Sequence, residues 1–68
     1  MPYTAREILS KLKKIWFIIR RKSGSHVIHR HKDGRQTYVV LHPGDVPIGT
    51  FHKILKQAGI SENEFKKA

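Results

Sequence analysis

Between Ile15 and Trp16 the apolar period of this chain changes, and that change restricts the possible folds more than any other feature of its 68 residues. Upstream, Ile8, Leu9, Leu12 and Ile15 recur at helical spacing, which predicts an amphipathic helix over 5–14. Thr4-Ala5-Arg6-Glu7 has the form of a capping box, in which the Thr4 hydroxyl accepts the amide of Glu7 and the Glu7 carboxylate reaches back to the amide of Thr4. Tyr3 and Ile8 stand at the two positions of a hydrophobic staple. Downstream, Trp16 to Arg21 is rich in aromatic and β-branched residues and is followed by Lys22-Ser23-Gly24, a strand and then a turn. His26 to His31 reads as a second strand and Gln36 to Leu41 as a third. Lys32-Asp33-Gly34-Arg35 between them supplies an Asp-Gly pair suited to positive φ in a hairpin. An antiparallel meander follows.

Two prolines and a glycine in His42-Pro43-Gly44-Asp45-Val46-Pro47 make that segment a loop. Phe51, Ile54, Leu55 and Ala58 then restore the helical period, with Gly59 placed to end the helix. Ser61 and Glu64 form another capping box and Ile60 with Phe65 another staple, starting a short C-terminal helix. The order is α-β-β-β-α plus that short helix. Two amphipathic helices need one sheet face to cover, so the predicted fold is a two-layer α+β sandwich, a three-stranded antiparallel sheet with its helices on one face. Val27 and Ile28 are both apolar, so strand parity leaves open whether His26 or His29 lies under the helices.

A chain this short has no room for a separate cofactor domain. With no cysteine there is no disulfide, thiolate nucleophile or iron–sulfur cluster, and a reducing, intracellular setting is expected. Met1 to Leu9 holds no apolar run of the kind a secretory signal needs. The longest run, Ile15 to Ile19, falls far short of the roughly 20 residues that span a bilayer as a helix. The expectation is a soluble, cytoplasmic protein that engages no membrane.

The net charge of +9 is unevenly placed. Residues 11–35 hold nine Lys or Arg and a single acid, Asp33, whereas the remaining positions nearly balance. Charge concentrated in this way predicts a surface for a polyanion, with RNA or DNA ahead of an acidic protein and an anionic membrane last. A basic face that serves solubility alone is the plainer reading, but such faces are usually balanced by acids.

Five histidines stand out: His26, His29, His31, His42 and His52. On a strand His29 and His31 share a face while His26 points the other way, and Asp33 suits the turn, so no metal site is expected. His26 has a distinct setting. It follows the Ser23-Gly24-Ser25 turn, with Arg20, Arg21 and Lys22 just before it, and backbone amides beside cations form an anion site. Positive charge near an imidazole favours its neutral, proton-accepting form. No acid–histidine relay to Ser23 or Ser25 is evident. The residues alone leave two roles for His26, a general base or a phosphate contact without chemistry.

The segments Thr4-Ala5-Arg6-Glu7, Phe17-Ile18-Ile19-Arg20, Gly24-Ser25-His26 and Asp33-Gly34-Arg35 together resemble the HicA family of toxins, and Pro47 to Phe51 and Ile54 to Ser61 resemble its C-terminal helix and exit. The likeness runs through nearly the whole chain, so 1–68 reads as a single HicA-like domain. It implies a fold like the double-stranded-RNA-binding domain, an mRNA-cleaving toxin, and a cognate HicB-type antitoxin. It also places the catalytic histidine on His26. Two positions depart from the family pattern. Trp16 stands where a small residue, often glycine, is usual, which would alter the start of strand one. His29 replaces an apolar or aromatic residue, which would weaken the core or add a polar group near the site.

For such an enzyme the nucleophile is the RNA's own 2′-hydroxyl. His26 would be the base, with Lys22, Arg20 and the amides of Gly24 and Ser25 stabilising the charged phosphorane. No cofactor is required, and the general acid is not identifiable. Lys11, Lys13 and Lys14 at the end of the first helix, with Arg30, Lys32 and Arg35 near the hairpin, would track phosphates. Trp16 and Tyr38 are candidates for base stacking, but core or sheet packing is the expected use of both. The antitoxin would present an acidic surface to the toxin. The alternatives are a non-catalytic RNA-binding module of the same fold and a domain whose basic face serves only an acidic protein partner.

Overall fold

The computed structural model describes residues 3–68. Its elements run α1 (Ala5–Lys14), β1 (Phe17–Ser23), β2 (His26–His31), β3 (Gln36–Val40), α2 (Ile48–Ala58) and α3 (Glu62–Lys67). This is the α-β-β-β-α order with a short C-terminal helix that the residues predicted.

α1 and α3 start on capping boxes. The Thr4 amide donates to Glu7 Oε1 at 2.8 Å and the Glu7 amide to Thr4 Oγ1 at 3.2 Å, and the Thr4 bonds hold the Glu7 carboxyl below its usual range. Ser61 and Glu64 close the same box at α3. α2 ends on Gly59 in the left-handed region, at φ +67.

The sheet has the order β1-β2-β3, antiparallel throughout. Gly24 (φ +59) opens the two-residue turn that Ser23 and His26 close as a pair. Positive φ at the first turn residue alone is the type II′ pattern, which suits the twist of a hairpin. In the second hairpin only Gly34 takes positive φ, +100, and Asp33 does not. Gly34 donates to the His31 carbonyl and His31 to the Arg35 carbonyl, while Asp33 Oδ1 accepts the Arg35 amide. The predicted Asp-Gly pair is therefore a tight turn followed by a glycine bulge, with the Asp33 side chain clasping the corner.

Ala5, Ile8 and Leu12 of α1, Phe51, Ile54, Leu55 and Ala58 of α2, and Phe65 of α3 form one core with Phe17 and Val39 of the sheet. Tyr3, Phe51 and Phe65 meet edge to face or tilted, their centroids 5.1–5.2 Å apart. All of this lies on one face of the sheet. The molecule measures 30 × 30 × 17 Å, the thickness of two layers, and the second face carries no helix.

Two expectations about the start of β1 are corrected. Trp16 does not belong to the strand, and it does not pack. It sits at φ +72, the only non-glycine residue at positive φ among those described, and 73% of its surface is exposed. Its amide bonds back to the Lys13 carbonyl, so it is the left-handed residue that turns the chain out of α1 and into β1. That backbone shape is the physical reason for glycine there in the family pattern. Tyr38 is likewise half exposed on the open face rather than packed.

Candidate active site on the open sheet face

Strand pairing settles what parity left open. Val27 and His29 are buried toward the helices, so His26, Ile28 and Arg30 alternate onto the open face. His26 is exposed at the start of the central strand, paired with Ser23 on one side and Val40 on the other. The turn beside it is held by the Leu41 amide, which donates to the Ser25 carbonyl at 2.7 Å. Two histidines lie against carboxylates among the described residues, His31 beside Asp33 and His52 beside Glu62. His26 is not one of them.

β1 contains a bulge that decides which cations share the face of His26. Ile19 pairs with His29, but the next pairing is Arg21 with Ile28, so Arg20 is the extra residue. Ile19, opposite buried His29, faces the helices; Arg20, the next residue, turns to the open side, and Arg21, opposite Ile28, is there too. Lys22 pairs with buried Val27 and lines a hollow with Thr4, Leu9 and His42 on the helical side. Of the two side chains expected to support the base, Arg20 shares its face and Lys22 does not. Arg21 takes the place expected for Lys22. No glycine or proline marks the bulge, but three consecutive charged residues in a strand with one buried face signal that the strand has left the core.

The remaining candidates divide. Arg30 is on the open face, paired with Ile18 and Gln36. Gly24 and Ser25 form the turn next to His26. Lys14 is exposed in the last turn of α1, in the helical layer. Lys11 and Arg35, expected to track phosphates, are engaged inside the chain instead. Lys11 Nζ donates to the carbonyls of Lys66 and Ala68 at 3.3 and 3.0 Å and lies over the Phe65 ring. Arg35 donates to Asp33 Oδ2 at 2.8 Å and to the carbonyls of Ala58 and Gly59, which caps α2, and its guanidinium covers Phe17. A phosphate would have to displace those partners.

His29 is 1% exposed, and neither ring nitrogen has a hydrogen-bond partner among the described residues. Burial pushes its pKa below the usual histidine range. It lies on the face opposite His26, so it adds a polar group to the core and not to the candidate site. Among the described residues no three His, Asp or Glu side chains gather to hold a metal ion.

The arrangement is an exposed imidazole beside a tight turn on an uncovered sheet face, flanked by arginines, and it defines a small basic α+β protein with one cationic, helix-free face. The family model described as HicA toxin of bacterial toxin-antitoxin matches residues 5–60, and the chain belongs to that family. It is thereby a toxin of a toxin–antitoxin system, and the family implies an antitoxin partner. No curated protein matches the chain. Among the described residues, no helix is long and apolar enough to cross a membrane.

Proposed function

We propose that this toxin is a metal-independent endoribonuclease that cleaves mRNA with His26 as its general base. The observation that carries the reading is the exposed His26 imidazole on the open face, next to the Gly24-Ser25 turn and on the same side as Arg20 and Arg21. His26 takes the proton of a ribose 2′-hydroxyl. The freed oxygen attacks the adjacent phosphorus, and the bond to the 5′-oxygen breaks. The products are a 2′,3′-cyclic phosphate and a 5′-hydroxyl, whose proton comes from water or from the imidazolium just formed. Arginines and turn amides meet the charge on the pentavalent phosphorus. The partner is a HicB-type antitoxin whose acidic surface covers this basic face, and the site of action is the cytoplasm, where message and antitoxin meet.

The test compares native protein and His26→Ala on a long RNA in the presence of EDTA, with circular dichroism to confirm that the variant is folded. Native protein should cut, leaving cyclic phosphate ends, and the variant should be slower by about 10²–10⁴-fold, the usual contribution of a general base. Equal cutting by both would overturn the assignment. Binding by both without cutting by either would favour the non-catalytic RNA-binding module.

A further inference from the structure

Trp16 holds a backbone conformation that costs a non-glycine residue about 1–2 kcal/mol, and its ring is 73% exposed, so little packing within the fold offsets that cost. Glycine would serve the turn better. A bulky residue kept at positive φ directs attention to what its side chain meets outside the chain. Trp16 forms one wall of a groove of about 600 Å³ whose other walls include Ile18, Arg20, Arg30 and Lys32. Ile18 is 64% exposed and is paired with Arg30 across the sheet. A flat aromatic face among three cations, with no acid lining the groove, fits a planar base joined to phosphates.

We propose that Trp16 is the stacking platform for an unpaired RNA base, with Arg20, Arg30 and Lys32 holding the phosphates on either side of it. This rests on the ribonuclease reading and specifies its substrate: single-stranded RNA, because a base in a duplex has no free face to offer. Arg30 lies four residues from His26 on the same face of β2, about 13 Å away at strand rise. The base on Trp16 is therefore a few nucleotides from the scissile bond, and because every base has a π-face the platform accepts any of the four. Carboxylate side chains of an acidic protein segment reach the same cations, but they have no flat ring to lay on the indole.

Trp16 is the chain's only tryptophan, so its emission reports the contact directly. Protein carrying His26→Ala, which should bind without cutting, is titrated with a short single-stranded RNA, with a strand of equal charge lacking its bases, and with polyglutamate. The RNA should quench the emission, and the abasic strand and polyglutamate should not. By anisotropy of labelled RNA, Trp16→Gly should bind about 5- to 150-fold more weakly, the range of one base stack, while Trp16→Phe keeps most of the affinity. In the cleaving protein Trp16→Gly should raise KM more than it lowers kcat. Trp16→Asn, which also tolerates left-handed backbone, should match Trp16→Gly. Unchanged RNA affinity in both variants, equal quenching by the abasic strand, or a response to polyglutamate alone would overturn the proposal. If cleavage through His26 persists in that case, the stacking platform falls and the ribonuclease stands; if no RNA binds or is cut, both fall.

Discussion

Two polar side chains are fully buried beneath the helices, and they differ in how they are satisfied. Thr37 has its hydroxyl 3.0 Å from the Ile54 carbonyl and 3.1 Å from Gln57 Oε1, whereas His29 has no partner on either nitrogen among the described residues. An unsatisfied buried polar group costs about 1–3 kcal/mol. His29→Phe should recover an amount of that order, read as a higher urea midpoint with an unchanged m-value. The same histidine sets an acid limb. Its folded-state pKa is below the value of about 6.5 that it has when unfolded, so in acid the unfolded chain takes up the proton first. Its contribution to stability is complete above about pH 6.5 and is lost as pH falls toward the lower folded-state value. Melts at successive pH values should show this fall in the native chain and a flatter curve in His29→Phe. At Trp16 the backbone strain and the entropy that glycine loses on folding oppose each other, and Trp16→Gly should come out more stable by about 0.5–1 kcal/mol. It would then gain stability while losing RNA affinity.

At the scale of elements, one extra residue in β1 determines the composition of the site. Without the bulge, alternation from Ile19 would place Arg21 toward the helices and Lys22 beside His26; with it, Arg20 and Arg21 both face out and Lys22 faces in. Arg21→Ala should therefore slow cleavage by more than Lys22→Ala does, and a ranking of the two rates on one RNA checks it. The same contrast shows what the residues disclosed. Thr4, Glu7, Ser61, Glu64 and Gly59 declared the helix ends because capping is local chemistry, legible from side chains three residues apart. The facing of β2 was not legible, since it depends on partners β1 and β3, and Val27 with Ile28 offers the same apolar character to either side. Trp16 misled for a related reason: its aromatic character spoke for a strand, while its place just past the Ile15 cap, two residues after the helix, called for a left-handed turn.

Across the whole molecule, the basic charge sorts into structural and available parts. Lys11 latches α1 to the end of the chain after α3, and Arg35 fastens the second hairpin to the end of α2. Arg20, Arg21, Arg30 and Lys32 are exposed and have no such ties among the described ion pairs and side-chain hydrogen bonds. RNA affinity should fall with salt, and Arg30→Ala should reduce the slope of log K against log salt by roughly 0.7, the expectation for one phosphate contact on a single strand. Lys11→Ala should leave that slope alone and lower the melting temperature. Isothermal titration across a salt series, beside thermal melts, separates the two.

β1 is also one of the two outer strands of the sheet, and its far side offers unpaired amides and carbonyls to any other extended chain. The bulge kinks that border, and the Arg20-Arg21-Lys22 run studs it with like charge, so two copies brought border to border repel before their backbones can join. Cations that attract a polyanion thus double as guards against self-templated growth. A sequence drifting toward weaker toxicity by shedding these arginines would expose a sticky, Ile-rich margin and pay in solubility, which ties harmlessness to aggregation in a way that no catalytic substitution at His26 does.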